Sequence, residues 1–202
     1  LYNGAVADQD GSTWLFVIIG LNSAMRHSEI LRIKWDDIDF DQRRIHLEEA
    51  KAGQRTQPIS KSLTKMLLQE RDQREDKKGW IFPTQSKGAK HPYRRTMHRQ
   101  FERAAIRAGL DPSKVTPHVM RHTGITRLVK AGIDLPTIQK ISGHKTVAMV
   151  LRYVHLSDEH IDRAMAAIDT GMFGTVTPEL HTDLIGHNSS GANLAVLNGD
   201  RA

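Results

Sequence analysis

The chain has no cysteine among its 202 residues, which excludes disulfides and thiolate metal sites and suits a reducing compartment. No apolar run approaches the roughly 18 residues that cross a bilayer. The longest, WLFVIIGL at residues 14–21, reads instead as a core helix. An initiating methionine and a visible signal peptide are also missing, so the chain reads as a fragment that enters at Leu1. No internal repeat is evident. Acidic residues are outnumbered, 23 against 29 Lys and Arg, giving a net charge of +6. That excess suits a polyanionic partner such as nucleic acid, and it serves plain solubility equally well. A chain of this length buries one good core, with room for an appended tail.

Periodicity and turn chemistry predict an α+β fold, mainly α-helical, with a small antiparallel β-sheet near the N-terminal third. Residues 1–11 read as a linker. Ser12 or Thr13 caps a helix to about Leu21, and SEILRIKW starts another near Ser28. DDIDFDQ is turn chemistry. RRIHLEE and TQPIS then read as two strands around the loop AKAGQR, where Gly53 permits the reversal. Further helices are predicted over residues 63–74, 93–108, 117–132, 135–141 and 146–155, and another after Ser157, with WIFP at 80–83 as a short buried stretch. The domain would occupy residues 12–169. Residues 170–202, rich in Gly, Asn, Ser and Thr, read as a tail that is mobile or docks on a partner.

One segment is conspicuously basic: Lys87, Lys90, Arg94, Arg95, Arg99, Arg103 and Arg107 are opposed only by Glu102. A solvated helix face would look similar. The one-sided sign favours contact with a DNA backbone through Lys87, Arg94, Arg95 and Arg99.

At about 100° per residue, His118, Arg121, His122, Ile125, Leu128 and Val129 share one face of the helix that Thr116-Pro117 starts. Met120, Thr123, Arg127 and Lys130 take the other. The stripe expected to enter the core thus begins with two histidines and an arginine, and an unpaired buried guanidinium is costly. An anion at the helix N-terminus resolves the conflict, and so would a buried pair between Arg121 and Glu29 or an aspartate. His118 and His122 are spaced as a zinc clasp, but Val119 stands where a metalloprotease needs glutamate, and Arg121 between them repels a cation. Zinc is not expected here. Downstream, SGHK puts His144 just past a helix end, and nine residues later Tyr153 flanks the apolar stripe Val147, Val150, Leu151 and Val154.

Together these residues resemble the catalytic domain of tyrosine recombinases, the phage integrase family. The signature is an arginine before Ser-Glu, a lysine in a hairpin loop, His-x-x-Arg-His, Gly-His, and a tyrosine nine residues on. Here it reads Arg26 with Ser28-Glu29, Lys51, His118/Arg121/His122, Gly143-His144 and Tyr153, in order and in register over about residues 12–168. Departures are Ser23-Ala24 where Thr-Gly is usual, the following Met25, His27 at a position more often apolar, and Met120 for a common leucine.

The resemblance implies a strand transfer that needs no metal and no cofactor. Tyr153 would attack the scissile phosphate, Arg26 and Arg121 would hold its non-bridging oxygens, and Lys51 would protonate the leaving 5′-oxygen. His118 would act as base or proton shuttle, His144 would donate to the phosphate, and Glu29 and His122 would brace the others. It also implies double-stranded attachment-site DNA as partner, a monomer in isolation and four protomers on DNA. Accessory DNA-bending proteins, a cytoplasmic, nucleoid-associated location and a DNA-clamping domain before this region belong to the same expectation. Three rivals remain. One is a type IB topoisomerase-like enzyme. Another is a non-catalytic module in which LPTIQKISGHKTVAMVLRYV is a helix-turn-helix, and the third and weakest is a histidine-ligated metalloenzyme.

Overall fold

Helix α2 (Thr13–Ser23) shows no amphipathic stripe because it needs none: Leu15, Phe16, Val17 and Ile19 are all fully buried. A helix apolar all round belongs inside a core. Around it pack α1 (Tyr2–Val6), α4 (Lys61–Gln73), α5 (His98–Arg107) and α6 (Pro117–Lys130). The computed structural model describes residues 1–48, 53–154, 165, 166 and 168, and those up to Val154 belong to one compact unit. Lys51, the predicted helix after Ser157 and the tail 170–202 lie outside the described residues or, for three positions, outside that unit.

The short α3 (His27–Ile30) and a 3-10 turn, Trp35–Asp37, lead into an antiparallel sheet of β1 (Ile38–Asp39), β2 (Arg44–Leu47) and β3 (Arg55–Pro58), in that order. Register pairs Ile45 with Gln57 and Leu47 with Arg55. Ile45 and Leu47 face the core while Arg44 and His46 face solvent, the alternation of a half-buried strand. β1 falls in the DDIDFDQ segment read as turn. Two residues carry too little pattern to separate a strand from a turn.

The expected linker is part of the domain. α1 packs on α5 so closely that a Cβ on Gly4 would collide with the Ala104 carbonyl, and Ala5 joins the core. Asp8 is buried, accepting from Thr13 Oγ1 at 3.0 Å, from Arg103 at 2.8 and 2.9 Å, and from Arg107 at 2.6 Å. The Arg103 bonds hold its carboxyl far below the usual range against the opposing effect of burial. Asp10 takes Arg94. These acids answer the basic run from outside the stretch in which only Glu102 was counted.

Residues 93–97 are not helical. Tyr93 bridges to Pro83 and the Arg94 amide donates to Phe82 O at 2.9 Å, so this stretch clips onto the WIFP segment, whose Ile81 and Phe82 are fully buried. The face of α6 is also rotated from the expected one. Met120, Arg121, Gly124 and Ile125 are buried, whereas His118 and His122 are exposed. The crossing with α2 explains it, since a Cβ on Gly20 would lie 2.6 Å from Met120 Sδ and one on Gly124 would lie 3.3 Å from Ala24 Cα. α7 (Leu135–Ser142) and α8 (Val147–Leu151) complete the unit through a small second core of Ala24, Ile125, Ile138 and Val150. Tyr153 packs against that core from just beyond α8, where the Tyr153 and Val154 amides tighten to Val150 O and Leu151 O. It does not lie on the predicted 146–155 helix.

Candidate active site

α2 ends at Ala24 in the left-handed region, φ 54°, a conformation costing a non-glycine residue about 1–2 kcal/mol. A glycine there would adopt this conformation without that cost. The turn aims the Ala24 carbonyl at Arg121, whose Nη1 donates to it at 2.8 Å and to Ser142 O at 2.7 Å. Two residues on, Arg26 is extended and caps α3. Glu29 closes that turn, its Oε2 accepting from the Arg26 amide at 3.1 Å and its Oε1 from Arg26 Nη1 at 2.9 Å. Arg26 Nη2 reaches across to Gly143 O at 3.0 Å.

Gly143 ends α7 at φ 67° and swings His144 back over Arg121, with His144 Nε2 3.0 Å from Arg121 Nη2. His144 Nδ1 lies 2.8 Å from Ser142 Oγ. The ring of Tyr153 is 6.0 Å from that of His144 and 5.1 Å from that of His122. Residues drawn from α3, α6, the α7–α8 turn and the segment after α8 thereby meet: Arg26, Glu29, Arg121, His122, His144 and Tyr153. His118, on the first turn of α6, packs edge-on against His27 at 4.8 Å, so the unusual histidine beside Arg26 has a ring partner.

The charge balance is uneven. Glu29, 5% exposed, is the carboxylate of the cluster, and Arg26 and Arg55 both pair with it at 2.9 Å. Burial raises its pKa, but Arg55 and the bonds from Arg26 outweigh that and leave it lowered. Arg121, 7% exposed, has carbonyl partners rather than the carboxylate pair that the sequence also allowed, and burial beside Arg26 lowers its pKa to about 10. Among the described residues, three guanidiniums against one carboxylate leave two positive charges without a counter-ion here. His144 adds none, because burial, then Arg121 and Arg26, lower its pKa to about 4.

Two contributors were not visible in the sequence. Arg55, at the start of β3, donates to Glu29, to Gln57 Oε1 at 2.6 Å and to Ile141 O at 3.2 Å, joining the sheet to the α7 turn. Its side chain also occupies the space that a Cβ on Gly143 would need. Ser142 is fully buried against His144. Arg55 has no local signal, since its partners Glu29 and Ile141 are brought from elsewhere. The Ser142 hydroxyl, two residues before His144, gains its meaning only from the shape of the turn. Of the basic run, Lys87, Arg95 and Arg99 are exposed, whereas Arg94 is held by Asp10 and donates also to Pro83 O at 3.3 Å.

A half-buried tyrosine thus lies beside guanidinium charge that exceeds the carboxylate charge among the described residues, an arrangement suited to holding an anion. The chain belongs to the phage integrase family, whose sequence model matches residues 5–160. Over 82 residues it is 40% identical to the tyrosine recombinase XerD of Caulobacter vibrioides, covering 41% of this chain and 27% of that protein. Over 175 residues it is 29% identical to the integrase of Salmonella phage P22, covering 81% of this chain and 44% of that one. The chain therefore spans less than half the length of either relative. Among solved structures, the Tn1549 transposon integrase in complex with transposon right end DNA superposes with a TM-score of 0.66. It is 21% identical and the match covers 83% of this chain and 62% of that one, a likeness of fold.

Proposed function

We propose that the chain is the catalytic part of a site-specific DNA recombinase that cuts and rejoins strands through a 3′-phosphotyrosyl intermediate. The observation carrying this reading is Arg121, a buried guanidinium with no carboxylate partner among the described residues, set against His144, whose ring lies 6.0 Å from that of the tyrosine. A scissile phosphate supplies the missing anion. Arg26 and Arg121 hold its non-bridging oxygens as charge builds in the transition state. The Tyr153 oxygen bonds to phosphorus, the bond to the 5′-oxygen breaks, His118 takes the phenol proton, and Lys51 gives one to the leaving oxygen. Glu29 fixes Arg26, and His122 braces the tyrosine ring. The phosphotyrosyl bond keeps the energy of the broken phosphodiester, so a 5′-hydroxyl from a second duplex reverses the step.

The assembly belongs to the same proposal: duplex attachment sites, four protomers on DNA from a monomer in isolation, accessory DNA-bending proteins, a preceding DNA-clamping domain, and a tail at 170–202 docking on a neighbour. No helix among the described residues is long and apolar enough to cross a membrane, and we place the protein in the cytoplasm on nucleoid DNA. The names of XerD and the P22 integrase, and the DNA bound to the Tn1549 enzyme, support this reading over a topoisomerase or a helix-turn-helix module.

Incubating the chain with nicked duplex from its genomic flanks tests the reaction. A covalent protein–DNA adduct on a denaturing gel, mapped by peptide mass to Tyr153, is the expected result, and DNA binding with no adduct would overturn the enzyme. Arg121→Lys keeps a charge but loses the fork that reaches two carbonyls and an oxyanion together. It should slow adduct formation by about 10²–10³-fold.

DNA-backbone contact falls to the exposed cations. Changing Lys87, Arg95 and Arg99 together to alanine should weaken binding to all sequences and flatten the log–log salt slope by about 2–3. Arg94→Ala should instead lower the unfolding midpoint and leave that slope in place, because Arg94 is already committed to Asp10. A slope unchanged by the triple substitution places the DNA elsewhere.

A further inference from the structure

The protons around His144 can be placed from its neighbours. A guanidinium nitrogen only donates, so the 3.0 Å contact from Arg121 Nη2 makes His144 Nε2 an acceptor. The ring is neutral, its pKa lowered to about 4 by burial and the nearby arginines, so its one proton sits on Nδ1. That N–H donates to Ser142 Oγ at 2.8 Å, and the serine's own proton goes to Ile138 O at 2.7 Å. The chain of donors and acceptors closes without conflict. It also leaves His144 with no N–H on the side facing Arg121, where an arriving phosphate oxygen needs a donor. Ser142 is fully buried and is the partner of Nδ1, and a hydroxyl can accept or donate.

We propose that Ser142 is a positioning residue that lets His144 exchange tautomers, accepting from Arg121 through Nε2 in the empty site and donating from Nε2–H to the bound oxyanion. On binding, Arg121 Nη2 turns its N–H to the oxyanion. The Ser142 hydroxyl rotates from Ile138 O to donate to Nδ1, Nδ1 releases its proton to water, and Nε2 takes one from water. The ring gains no net proton, so no charge is added where positive charge is already in excess. Alanine at 142 supports neither state: it offers no acceptor to Nδ1–H and no donor to a bare Nδ1. The inference rests on the phosphodiester reading for the nature of the oxyanion.

The test is nitrogen NMR on the 202-residue chain with isotope-labelled histidine and arginine, using inorganic phosphate as the probe. Free protein should show His144 protonated at Nδ1, and saturating phosphate should move the proton to Nε2. In Ser142→Ala the exchange should be lost, with kcat for strand cleavage roughly tenfold lower and KM within about twofold of the parent. A response at the Arg121 guanidinium with no tautomer change at His144 overturns the proposal alone. An Nε2–H tautomer in the free parent does the same, as does full exchange in the alanine variant. No response at Arg121 overturns the phosphodiester reading, and the proposal with it.

Discussion

A Tyr153→Phe chain is expected to bind DNA as tightly as its parent and to form no covalent adduct with it. The substitution deletes one oxygen. The ring keeps its place against Ala24, Ile125, Ile138 and Val150 and its contacts with His122 and His144. Stability should therefore change by less than about 1 kcal/mol, as for other surface or half-buried changes that leave packing intact. Chemistry is affected far more, because removal of a nucleophile costs on the order of 10⁴–10⁶ in rate where no other group can substitute. The readout is a denaturing gel beside a filter-binding titration. Persistence of the adduct would move the nucleophile to another residue, the remaining tyrosines being Tyr2 and Tyr93. A purely DNA-binding module predicts no adduct from either chain, so the parent lane separates that case.

Glu29→Gln should unfold more easily by about 3–5 kcal/mol, the usual consequence of leaving buried charge without its partner. The carboxylate holds Arg26 and Arg55 directly and offsets Arg121 nearby, and glutamine keeps the shape while deleting the charge. Urea unfolding measures the loss as a lower midpoint at constant slope. The effect carries a pH signature. The folded pKa of Glu29 lies below its ordinary value of 4.5, so its contribution is fully present above that value and is lost as pH falls through the folded one. The gap between parent and variant should be constant near neutrality and close in acid. Phosphate should recover more stability in the variant, whose site holds three guanidiniums and no carboxylate among the described residues. A variant as stable as its parent at pH 7 would mean that Arg26 and Arg55 find water once released.

Much of the site was legible in the sequence because its residues carry local cues. Arg121 follows a Thr-Pro helix start and His144 a helix-ending glycine, while Arg26 was recognised through the resemblance, as an arginine before Ser-Glu. The structure brings these three into contact through Gly143, Ala24 and Ser142. The orientation of α6 was misread because an apolar count ignores glycine. Gly124 contributes no hydrophobic side chain, yet it makes the close approach that turns Met120 inward and His122 outward. Arg55 was illegible for a different reason, since its partners Glu29 and Ile141 lie 26 and 86 residues away. The β1–β2–β3 sheet was half seen, its two longer strands announcing themselves by alternation. The roles assigned to Arg26, Lys51, His118, Arg121, His144 and Tyr153 are proposals, and Lys51 lies outside the described residues.

The acids ahead of α2 have a practical consequence for anyone dividing the protein into pieces. Composition would invite a cut near residue 11, just before the long apolar helix. Such a cut removes Asp8 and Asp10 and strands Arg94, Arg103 and Arg107, turning three satisfied ion pairs into a bare cationic stripe beside exposed Ala104. A shortened domain of that kind would cling to any polyanion, and its apparent affinity for DNA would describe the cut rather than the enzyme.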